Sequence, residues 1–167
     1  ISGAFAQVFF QQAAQASTDG TLRTLVQSTH RQLLHLVLFP LLTLGIFGKV
    51  LFATVFGEAW ADAGIYVQML APWAIVWFIS SPLSTLVITL HRQDLEFRLS
   101  VVLLLARIAG ITAGGLLGNS NLAVGLFSLA GIFSYGYLCF IVTSLAGVRW
   151  RDTVTMYVKE LTLFFPF

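Results

Sequence analysis

The sequence predicts an all-α, polytopic transmembrane helix bundle, on three observations. Of its 167 residues, 57% are hydrophobic and 10% charged, where an ordinary soluble domain carries roughly 25% charge. Four stretches are each long and apolar enough to cross a hydrocarbon core of about 30 Å, which takes about 20 helical residues. Basic residues crowd alternate joints between those stretches, as the positive-inside rule requires of an inserted chain. A mean hydropathy of +0.88 and 14% aromatic content exclude a disordered chain.

Taken in order, residues 1–16 read as the end of a preceding helix, with Gln7, Gln11, Gln12 and Gln15 marking its exit from lipid. The predicted spans then cover about 33–56, 65–90, 99–118 and 122–148. The joints at 17–31, 57–64, 91–98 and 118–121 are short, polar and rich in turn formers, which makes sequential helices antiparallel neighbours. Residues 151–160 are polar enough to lie at the membrane interface before a terminal apolar run that ends at 167. The chain starts at Ile1 as if in mid-helix, so it reads as part of a larger membrane protein.

Sidedness follows from the nine Lys and Arg. Arg23, Arg31, Arg92, Arg98, Arg149, Arg151 and Lys159 fall on one side, Lys49 lies toward the other, and Arg107 is inside a span. The segments at 17–32, 91–98 and 149–160 are therefore expected to be cytoplasmic and those at 57–64 and 118–121 external. These dispersed charges form no basic cluster, so nucleic acid is not an expected partner. Cys139 is the lone cysteine, which excludes an internal disulfide.

Enzyme motifs are absent. His30, His35 and His91 have no metal-binding spacing, and no cofactor is expected. All seven acidic residues lie in predicted loops, so none is placed as an intramembrane proton relay. Arg107 is the most informative residue, because a charge near mid-span costs about 2.5 to 3.5 kcal/mol on insertion scales and must face protein or water. Its helix carries Ala106, Gly110, Gly114 and Gly118 at four-residue spacing, a stripe that lets a neighbouring backbone come close. Two readings stand side by side: a cationic point in a lumen that attracts a phosphate, or an Arg paired with carbonyls or an acid elsewhere. Gln68 and Tyr135 are candidates to hydrogen-bond a sugar, and equally to join helices. Lys49 and His35 sit close enough to span ends to reach the interface. Pro82, within Ser80-Ser-Pro-Leu-Ser84, predicts an irregularity in the second span, with serine hydroxyls covering freed carbonyls. The tryptophans Trp60, Trp73, Trp77 and Trp150 read mostly as an interfacial belt.

The run Val55-Phe-Gly-Glu-Ala-Trp-Ala-Asp-Ala-Gly64, with Leu70-Ala-Pro-Trp73, Ser80-Ser-Pro-Leu-Ser84 and Leu90-His-Arg-Gln93, resembles the later half of bacterial polysaccharide-biosynthesis flippases. Ala4-Phe-Ala-Gln-Val-Phe-Phe10 looks like the close of the preceding helix in that family. These are O-antigen and exopolysaccharide translocases of the multidrug/oligosaccharidyl-lipid/polysaccharide exporter superfamily. The resemblance implies that 1–167 is part of the second lobe of a two-lobe exporter in the bacterial inner membrane, completed by an N-terminal half. Its implied substrate and partner is a polyprenyl-pyrophosphate-linked oligosaccharide, flipped to the outer leaflet, with membrane lipid around it. No family motif marks Arg107 as a ligand. The rival classes are a drug or metabolite antiporter, whose embedded acids are missing from these spans, a glycan-assembly enzyme, for which the outer loops are too short, and a structural membrane subunit.

Overall fold

The computed structural model describes residues 11–13, 15–16, 18–89 and 92–164. Most of the leading helix expected over 1–16, His91 and the last three residues lie outside them. All regular structure among the described residues is helical. After short helical pieces within 11–19, the chain forms α1 (Leu22–Phe56), a 3₁₀ turn (Glu58–Trp60), α2 (Ala61–Leu83), α3 (Thr85–Thr89), α4 (Gln93–Leu116), α5 (Ser120–Leu145) and α6 (Trp150–Phe164). Among the described residues four segments are long and apolar enough to cross a membrane: Leu22–Phe56, Glu58–Ile88, Gln93–Leu116 and Ser120–Leu145. The chain is a multi-pass membrane protein.

These spans overlap the four expected ones, and the largest difference is at the start. The polar stretch 17–31 reads as a joint, yet α1 begins at Leu22. Val26, His30, Leu33, Leu34, Val37 and Leu38 repeat at three and four residues and are all buried, so a continuous apolar stripe carries the helix through the polar sequence. The joint at 118–121 shrinks to a tight turn for a local reason. Gly118 takes φ +60°, its N–H bonds to the Gly115 carbonyl and the Asn119 N–H to the Gly114 carbonyl. This closes α4 with a Schellman motif that needs a residue free of Cβ. The Asn119 side chain then accepts from Leu122 N–H at 3.0 Å and caps α5.

Pro82 interrupts the second span. The helix ends at Leu83, Ser84 sits in a turn, and α3 resumes at Thr85. Ser80 donates to the Val76 and Trp77 carbonyls, Ser84 to Ser81 and Thr85 to Pro82, so hydroxyls bind the backbone on both sides of the break. Pro40 and Pro72 leave their helices uninterrupted.

The helices pack in the spatial order α1, α2, α5, α4. Small residues make each seam. A Cβ on Gly64 would lie 2.5 Å from the Gly48 carbonyl and 2.6 Å from the Lys49 Cα, so α1 and α2 touch backbone to backbone. Gly110 and Gly114 meet Leu126 and Ala123 on α5 in the same way, which is the contact the four-residue stripe predicts. Ser128 of α5 donates to the Met69 carbonyl of α2 at 2.7 Å.

The apolar core gathers at the end that carries Arg23, Arg149 and Arg151, built by α1, the Ile79 to Val87 region, the end of α5 and Val148. Helix α6 closes that end against α1 and α5. Asp152 binds Arg23 at 3.1 Å and Arg149 at 3.2 Å, which brings residues expected on one membrane face into contact. Elsewhere Phe39, Val50, Leu105, Ile108 and Phe133 stand exposed, as side chains do that face lipid or further protein.

Candidate functional site

Arg107 lies on the α4 face that also carries Leu103, Gly110 and Gly114, the residues at helical spacing that meet α5. It is about 14 Å along the helix from the α4 terminus at Leu116, taking 1.5 Å per residue. Its guanidinium carbon stands 4.0 Å from the centre of the Phe127 ring of α5 and 4.9 Å from that of Trp73 of α2. The two rings meet edge to face, with centroids 5.5 Å apart. Trp73 reaches this position because Gly131 of α5 leaves room: a Cβ there would lie 2.5 Å from the indole nitrogen. Trp73 also stacks on Trp77, at 6.0 Å and 26°. Trp73 is thus a mid-helix packing residue that positions a charge, outside the interfacial role expected for most of the four tryptophans.

Magnitudes decide what this sandwich does. A cation over an aromatic face is stabilised by about 0.5 to 2 kcal/mol between the exposed and desolvated limits, so for the half-buried Arg107 two faces offset much of an insertion cost of about 2.5 to 3.5 kcal/mol. The ring faces act on the charge but supply no oxygen acceptor. Arg107 Nε, Arg107 Nη2 and Trp73 Nε1 are buried with no hydrogen-bond partner. Each unmet buried donor costs about 1 to 3 kcal/mol. All three are donors, so the group that would satisfy them is an acceptor, and beside a guanidinium an anionic oxygen fits best.

The other two predicted residues separate. Tyr135 lies two turns along α5 from Phe127. It borders a pocket of about 80 Å³ with Glu96, Ser100 and Ser134. That volume holds about two or three waters, too few for a sugar ring. Gln68 is at the α1–α2 crossing, where its Nε2 donates to the Ile46 carbonyl at 2.7 Å and its stem fills the space beside Gly48. Its amide is committed to joining helices, one of the two roles its sequence position allows. Lys49 and His35 are both exposed on α1.

A second polar cluster escapes sequence reading. His30 of α1 and Tyr157 of α6 form a short hydrogen bond, and Cys139 of α5 lies 3.7 Å from His30 Nε2 and 3.9 Å from the Tyr157 hydroxyl. Burial holds the Tyr157 phenol above its ordinary range, so it stays neutral and ties three helices together. Cys139 and Tyr157 also line an apolar cavity of about 380 Å³ between α1, α2 and α5. The signal available in the sequence was weak: one His and one Tyr, separated by 127 positions.

Comparison with known protein families, with curated proteins and with solved structures finds no match to this chain.

Proposed function

We propose that this chain is part of a translocase that flips a polyprenyl-pyrophosphate-linked oligosaccharide across the bacterial inner membrane for polysaccharide or lipopolysaccharide synthesis. The observation that carries the reading is the set of three buried, unpartnered donors at Arg107 and Trp73, inside a span. A pyrophosphate crossing hydrocarbon needs acceptor-seeking partners at that depth, because losing all its hydration without replacement is prohibitive. The motifs that resemble flippases and the concentration of basic residues at one end support the same reading. An apolar cavity of about 380 Å³ on the α1 side of α2 and α5 offers space to hydrocarbon. In this reading the chain is a carrier and not an enzyme, and Arg107 is its ligand residue, with Tyr135 nearby.

The experiment is surface glycan production by cells whose only copy of the whole protein carries a substitution at Arg107. Arg107→Ala is expected to lose most export at wild-type protein abundance, and Arg107→Lys to retain part of it, since lysine keeps the charge but not the planar fork. Wild-type export by a stably accumulated Arg107→Ala protein would remove Arg107 from the mechanism. If export is normal and an amphipathic drug instead accumulates when the gene is deleted, the antiporter reading replaces this one.

A further inference from the structure

We infer that the cleft where α5 turns into α6 binds one anionic phospholipid of the membrane leaflet at the basic end. It rests on membrane insertion alone and not on the transport reading. The cleft measures about 700 Å³ and is lined by Phe140, Thr143, Ser144, Gly147, Val148, Arg149 and Arg151. Gly147, at φ +74°, reverses the chain so that the last turn of α5 and the first residues of α6 form its two walls. One wall is apolar, with Phe140 42% exposed, and the other is cationic.

Charge complementarity selects the occupant. Arg23 and Arg149 share Asp152 and Arg151 lines the same cleft, so three guanidinium groups meet one carboxylate among the described residues, a surplus of two positive charges. Arg149 is held by Asp152 with its side chain 77% exposed, so its remaining N–H groups face outward. Arg151 makes no ion pair among the described residues, and the exposed Ser144 hydroxyl has no bonding partner among them either. Depth selects it too. Helix α5 has 26 residues, about 39 Å, so its end projects beyond a core of about 30 Å into the headgroup layer. A phosphodiester there meets two guanidinium groups, and its acyl chain runs along exposed Phe140 and Leu145. A free phosphate would use the cationic wall and leave the apolar one idle.

The full chain, reconstituted in nanodiscs of phosphatidylcholine with 30% phosphatidylglycerol and then released for native mass spectrometry, is expected to retain one phosphatidylglycerol. Arg149→Gln with Arg151→Gln should cut that retention about thirtyfold, at about fivefold per basic residue near a headgroup. Arg98→Gln, a basic residue outside the cleft, should leave retention unchanged, and Arg149→Lys with Arg151→Lys should keep most of it. Should the double glutamine variant unfold in detergent, Arg151→Gln alone serves, since it breaks no ion pair. Equal retention by the glutamine variants, or an equal loss in Arg98→Gln, would overturn the site. Displacement of the lipid by millimolar inorganic phosphate would assign the cleft to a free anion and overturn the lipid.

Discussion

Replacing Trp73 by phenylalanine removes one N–H and keeps an aromatic face for Arg107, so it isolates what the unpartnered donor contributes. If that donor is met by an oxygen of the transported molecule, Trp73→Phe should lower glycan export about tenfold to a hundredfold at unchanged abundance, the worth of one hydrogen bond to a charged group. Unchanged export would show that the indole serves packing alone. Trp73→Ala is different in kind, since it deletes the ring that Gly131 accommodates and one of the two faces over the guanidinium. A cavity and an exposed cation should together cost about 3 to 5 kcal/mol, seen as lost protein in membrane fractions before any transport assay.

The seam between α4 and α5 makes opposite predictions for two adjacent glycines. A side chain at Gly114 collides with Ala123, whose Cα would lie 2.5 Å away, whereas Gly115 meets nothing within 4 Å. Gly114→Val should lower the unfolding midpoint of the detergent-solubilised protein by an amount equivalent to about 1 to 3 kcal/mol or more. Gly115→Ala should be neutral or slightly stabilising, because alanine restricts the unfolded chain and favours the helix. Stability lost equally at both positions would refute the close approach of α4 and α5. At this scale the sequence was legible where physics is local: four helices, the break after Pro82, and the small-residue stripe all follow from composition and spacing. What it concealed was rotation about helix axes. The aim of Trp73 depends on Gly131, 58 positions later. The chemistry of Gln68 is legible in its sequence position, but the nearness of the Ile46 carbonyl is a tertiary fact. Residues 22–32 read as polar because alternate faces of one helix were averaged along the chain.

For the molecule as a whole, the contact of Arg23 with Asp152 places the start of α1 and the start of α6 on one face, which agrees with the distribution of basic residues. In cells expressing a Cys139→Ser background, a cysteine at position 61 should react with a membrane-impermeant maleimide and one at 94 should react only after lysis. The reverse labelling would invert the topology and place the basic end outside. Single-site labelling reads orientation without requiring transport, so it stands apart from the outcome at Arg107.

Helix α1 runs without interruption from the predicted hydrocarbon boundary at residue 33 back to Leu22. Those 11 residues form a rigid stem of about 16 Å. As a lever pivoting where it leaves the hydrocarbon, this stem would sweep its tip through about 3 Å for a tilt of about 10°. A sweep of that size would part Arg23 from Asp152, now 3.1 Å apart, unless α6 followed. The buried joint of His30 and Tyr157 lies partway along the same stem. Two fastenings at different distances from the pivot tie α1 to α6, so a tilt of the stem that kept both contacts would carry α6 with it, and with α6 the cleft wall at Arg149 and Arg151.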